Sequence, residues 1–194
     1  MQGTIIVAGI PGVGKTTVLL ELDRLAKEKN VPLKIVNFGN VMSELFKKSG
    51  KTIHRDHMRR QDITLQSRIQ QQAARIISRT PGKAAVVVDT HMFVKTADGV
   101  WPGTPQKVLE ALDPNMIILI EADAEEIAQR RATDATRYRD GGNVEDAKED
   151  LQWSRYMASC NAVLAGVPIQ IVHNRDGQQA KTAIDLLDMI QKRT

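Results

Sequence analysis

The sequence predicts an α/β fold, a doubly wound five-stranded parallel sheet flanked by helices, and three observations predict it. Five short apolar runs rich in Val and Ile, at about residues 4–8, 33–37, 84–88, 116–120 and 168–172, alternate with helix-like stretches. The runs are nearly free of polar residues, as strands covered on both faces are. Small or polar residues follow each run, at the strand ends where an open parallel sheet presents its ligand site.

The first run is Thr4, Ile5, Ile6, Val7 and Ala8, and residues 9–16 after it read Gly-Ile-Pro-Gly-Val-Gly-Lys-Thr, the pattern G-x-x-x-x-G-K-[ST]. Small residues let the backbone of Gly9, Ile10, Pro11, Gly12, Val13 and Gly14 wrap a polyphosphate with its N–H groups, which all of them but Pro11 carry. Lys15 adds a mobile positive charge, and the Thr16 hydroxyl suits Mg²⁺. A helix over 15–29, with Thr17 in its first turn, points its positive end at the same anion. These residues are therefore expected to bind a nucleoside triphosphate, with Lys15 also acting on the moving phosphoryl group.

The second run, 33–37, is followed by Asn37, Phe38 and Gly39 and then by a helix over 40–48. Residues 53–60 read Ile-His-Arg-Asp-His-Met-Arg-Arg, with Asp56 placed to cap a helix over 56–79. Arg55 and Arg59 stand four apart on one face, where a positive pair makes best sense opposite an anion such as a phosphate monoester. The third run ends at Asp89, the Walker-B arrangement in which a carboxylate holds Mg²⁺ directly or through water. His91, two residues on, is the one histidine expected near the site. Trp101, in the loop 99–105, either walls a base pocket or packs under the loop.

Helices are expected over 105–112 and 124–133, either side of the fourth run with its trailing Glu121, Ala122 and Asp123. A second arginine cluster follows, Arg130, Arg131, Arg137 and Arg139, on a short flap at about 130–143. Arginines delivered by a closing segment stabilise charge spread over a transferring phosphoryl group, which assigns Arg130, Arg137 and Arg139 to catalysis. Arg131 and Asp134 are expected to pair along the helix. A helix over 144–165 carries Cys160, read as a small core residue between Ala158 and Ala162, and a helix over 178–192 follows the fifth run and residues 173–177.

One domain spanning 1–194 accommodates all of this. The net charge of +4 is too mild to imply a nucleic-acid partner, and none is expected. A single cysteine excludes an intramolecular disulfide and a cysteine-rich zinc site. No apolar stretch approaches the roughly 20 residues of a membrane span, and the first strand starts at once, so a cytoplasmic protein without membrane attachment is expected.

Together these residues resemble the archaeal type of adenylate kinase, a nucleoside monophosphate kinase of the P-loop NTPase superfamily. The resemblance covers nearly the whole chain and rests on the phosphate loop, Val36-Asn37-Phe38-Gly39, Arg55-Asp56-His57-Met58-Arg59, and Val88-Asp89-Thr90-His91. It continues through Lys95-Thr96, Pro102-Gly103, Glu121-Ala122-Asp123, the series Arg130, Asp134, Arg137, Arg139, and residues 162–166. It implies Mg²⁺-dependent, reversible transfer of a phosphoryl group from ATP to AMP, giving two ADP, in a homotrimer. It places Phe38, Gly39, Arg55 and Arg59 at AMP, in a monophosphate segment of about 38–79, and His173 to Gly177 at the adenine of ATP. The lid of longer relatives, sometimes held by a four-cysteine zinc site, is here a short flap without zinc.

Two other readings stand beside it. A small kinase built on the same loop takes a different acceptor, CMP or a hydroxy acid such as shikimate or gluconate, since arginines hold a carboxylate as well as a phosphate. A nucleotide-dependent switch or RNA-associated ATPase is opposed by the absence of Asn-Lys-x-Asp after a strand and by an aromatic content of 4%.

Overall fold

A computed structural model describes residues 3–48, 63–80, 82–96, 99–133 and 142–193. Strands β1 (Thr4–Ala8), β2 (Leu33–Asn37), β3 (Ala85–Thr90), β6 (Pro114–Glu121) and β7 (Ile169–His173) form a parallel sheet in the order β2-β3-β1-β6-β7. The order puts the two most apolar neighbours of β1 at the centre: Ile5 to Ala8, Val87, Val88 and Ile117 to Ile120 are all shut away from solvent.

Alternation along the strands divides the core in two, because successive side chains leave opposite faces of a sheet. Ile5, Val7, Val87, Ile118 and Ile120 pack with α1 (Lys15–Glu28) and α7 (Gln179–Gln191). Ile6, Ala8, Val86, Val88, Ile117 and Leu119 pack with α2 (Phe38–Lys48), α3 (Ile63–Ser78) and α4 (Gln106–Leu112). Helix α6 (Val144–Ala165) reaches both layers, giving Ala147 to the first and Ala158 and Ala162 to the second. Helix α5 (Ala124–Thr133) lies against α6 and sends Ile127 into the first layer. Cutting any of the central isoleucines to alanine would cost about 2–5 kcal/mol.

All five expected strands are present, within two residues at each end. The sequence reading did not foresee β4 (Phe93–Thr96) and β5 (Gly99–Pro102), an antiparallel pair that forms its own two-stranded sheet. Strands of four residues, one of them running into Pro102-Gly103, carry too short an alternation to read as strands. Helix α2 also starts earlier than expected, at Phe38, directly on the end of β2.

Candidate active site

Between β1 and α1 the chain makes a tight turn that only glycine accommodates at two points. Gly12 has φ 99° and Gly14 has φ 80°, the left-handed region, and a Cβ on Gly14 would lie 2.5 Å from Asn174 Nδ2. Gly14 is the N-cap of α1 and offers no side chain to it, and the first turn of the helix carries no acidic residue. Its leading N–H groups and positive dipole end are thus left for an anion. Thr16 and Thr17 are exposed in that first turn, whereas Lys15 is buried.

Lys15 Nζ is hydrogen-bonded to Asp89 Oδ1. Asn37 Nδ2 donates to the other carboxylate oxygen at 2.5 Å. Register explains the meeting: Asp89 pairs with Val7 on one side and Asn37 on the other, so all three strands end together. A buried carboxylate with two donors is fixed in direction. Thr16 and Asp89 supply oxygen only, the donor type Mg²⁺ prefers, and among the described residues no cluster of three or more His, Cys, Asp or Glu could cage a metal.

The loop carbonyls are held from behind by four side chains from three other segments. His91 Nδ1 lies 2.9 Å from the Gly9 oxygen, Arg131 Nε donates to Pro11 at 2.9 Å, Arg130 Nη1 to Gly12 at 3.2 Å, and Asn174 Nδ2 to Val13 at 2.8 Å. Asn174 is itself held by the carbonyl of Glu121, to which its N–H donates at 2.7 Å, and its Oδ1 accepts from Thr182 at 3.3 Å. Arg130 also donates to Glu126 at 2.8 Å and to Asp176 at 2.7 Å, so it lies beside the loop mouth on surface carboxylates.

Arg131, expected to pair with Asp134 along the helix, is engaged by Pro11 and Asp150. Its side chain is 4% exposed and turns under the loop, with Nη2 donating to Asp150 of α6 at 2.8 Å. Asp134 lies outside the described residues, as do Arg55, Arg59, Arg137 and Arg139. Lys95 of β4 reaches the same Asp150, its ammonium 2.8 Å from Oδ1. Partial burial works against the Lys95 charge, but Asp150 and then Glu149 outweigh it, so Lys95 stays protonated above the usual lysine range. Glu121, 1% exposed at the end of β6, is satisfied in the same way by a two-pronged bond from Arg155, at 2.8 and 2.6 Å. That bond, against a smaller opposing effect of burial, holds the Arg155 guanidinium charged still more firmly than usual.

Phe38, expected at the acceptor, is buried in the second core layer, which leaves only its main chain, next to Gly39, for a ligand. Trp101 is 38% exposed on β5, across from Val94, and stands on a hairpin instead of in a loop. Cys160 corrects the expectation of a core position: it is exposed. Two residues along a helix turn about 200°, so the burial of Ala158 and Ala162 puts Cys160 on the outer face. Its surroundings of small residues misled the reading; the spacing was the better signal. Asn174 was named only as part of its segment, since a lone asparagine after a strand resembles any turn residue.

A family profile described as an AAA domain matches residues 8–148. The adenylate kinase of Methanocaldococcus jannaschii is 40% identical over 187 residues, 96% of this chain and 97% of that protein. The adenylate kinase of Thermoplasma acidophilum is 40% identical over 185 residues, 95% of this chain and 97% of its own length. Among solved structures, shikimate kinase from Acinetobacter baumannii in complex with shikimate superposes with a TM-score of 0.61 at 16% identity, over 99% of this chain and 94% of that one. At that identity the likeness speaks to the fold alone.

Proposed function

The chain belongs to the adenylate kinase family of phosphotransferases, and from that premise we propose that it passes the terminal phosphoryl group of ATP to AMP, reversibly, giving two ADP. The observation that carries this is the uncapped start of α1 beside the buried Lys15 and Asp89. ATP would lay its phosphates on the loop N–H groups, and Lys15 would leave Asp89 for the moving phosphoryl group. Mg²⁺, bound by Thr16 and Asp89 together with phosphate oxygens, would neutralise charge there. No covalent nucleophile is needed, because positioning and charge compensation carry this chemistry.

Arg130 is proposed as the cation that leaves Asp176 and Glu126 for the phosphates when ATP arrives, joined by Arg137 and Arg139. Phe38 and Gly39 through their backbone, with Arg55 and Arg59, form the proposed AMP site. The assembly is proposed to be a cytoplasmic homotrimer of the archaeal type. Apolar side chains exposed on α6, among them Tyr156, Val163 and Leu164, are available for subunit contact. No helix among the described residues is long and apolar enough to cross a membrane.

The deciding experiment offers ATP and Mg²⁺ with AMP, CMP, UMP, GMP or shikimate in turn and follows ADP formation. AMP should be the preferred acceptor. Turnover with shikimate and none with any monophosphate would overturn the assignment.

A further inference from the structure

In a trans peptide the C=O and N–H point in opposite directions, so a donor that grips a loop carbonyl from outside also aims the next residue's N–H the other way. Arg131 does this to the peptide between Pro11 and Gly12. Unlike Arg130, Arg131 is buried beneath the loop and bound to Asp150, so it has no route to a phosphate that keeps those bonds. Asp150 in turn is shielded, with 13% of its side chain exposed, and is shared with Lys95 of the β4–β5 hairpin. Three segments, α5, the following α6 and the hairpin, are thus linked through Arg131 to one carbonyl of the phosphate loop.

We propose that Arg131 is a positioning residue for the ATP phosphates, holding the Pro11–Gly12 peptide through Nε while Asp150 fixes its guanidinium. The Gly12 N–H then faces away from Arg131 without having to be ordered by the nucleotide. The brace pre-pays the ordering of the loop, and its benefit appears in ATP affinity instead of in the chemical step. The idea rests on the reading of residues 9–16 as the ATP site.

The test is Asp150→Asn, because charge and positioning predict opposite signs for it. Removing a carboxylate near the loop makes the region more positive, which by charge alone would tighten ATP. Loosening Arg131 should instead raise the KM and Kd for ATP by about tenfold, the scale of one charge-assisted hydrogen bond, with the KM for AMP unchanged. Arg131→Lys keeps the charge but loses the fork, and should repeat the pattern; it decides the matter if Asp150→Asn does not fold. An ATP affinity that is unchanged or tighter in a folded variant overturns the brace, as do equal rises in the KM of ATP and AMP, which mark general loosening. Wild-type protein inactive with ATP and AMP would strike the proposed function itself, a separate result from an active wild type with an indifferent variant.

Discussion

Helices α1 and α6 begin in opposite ways. At α6, Asn143 is extended and its side chain accepts from the Asp146 N–H at 2.8 Å, and Glu145 and Asp146 place negative charge in the first turn. At α1 the cap is a left-handed Gly14 with no side-chain bond, and the first turn holds Lys15 and two threonines in place of acids. Helix α6 closes its own electrostatic end; α1 leaves roughly half a positive charge and several N–H donors unanswered. A forgone cap costs about 1 kcal/mol, and a bound triphosphate offsets it. Local rules of helix design are thus kept where the helix serves only the fold and broken where it serves the ligand.

The largest test of that contrast is Lys15→Ala. Removing the cation that accompanies the open helix end should lower kcat by about 10³ in steady-state ADP formation, and a loss under tenfold would mean that the helix end and loop do the work alone. Gly14→Ala comes next: a left-handed alanine with its Cβ against Asn174 should cost about 2 kcal/mol, read as a fall in thermal midpoint together with weaker ATP binding. Thr17→Glu would give α1 the first-turn acid that α6 has. Its Tm should rise slightly, by the 0.3–1 kcal/mol of a dipole partner, while the KM for ATP rises about tenfold; stability and affinity moving together would break the comparison. The smallest change, Asn143→Ala, should lower stability by about 1 kcal/mol, near 2–4 °C for a chain of this size, and leave kcat and both KM values as they were.

The five-stranded sheet was legible because buried parallel strands are continuous apolar runs, and the phosphate loop because its spacing is a mechanical requirement. Lys15 and Asp89 followed from those two, and the structure joins them. The hairpin over residues 93–102 was hidden by strands too short for a period to register. Arg131 was hidden by its neighbour: two adjacent arginines at a helix end look alike in sequence, yet about 100° of helix rotation sends Arg130 to surface carboxylates and Arg131 under the loop. Which of two adjacent charges is buried depends on what packs over the helix, here Asp150 from 19 residues away. Local pattern does not carry that.

The four side chains behind the phosphate loop have a consequence for how the molecule comes into being. They lie 82, 118, 120 and 161 residues beyond the carbonyls they hold. The central strand that feeds the loop likewise waits for β3 and β6. Such distant closures make folding slow, and during synthesis residues 9–14 leave the ribosome long before their supports exist. A nascent chain with the motif intact is expected to gain its grip on nucleotide only after Asn174 has emerged, so the earliest piece of the active site to be made is among the last to become competent.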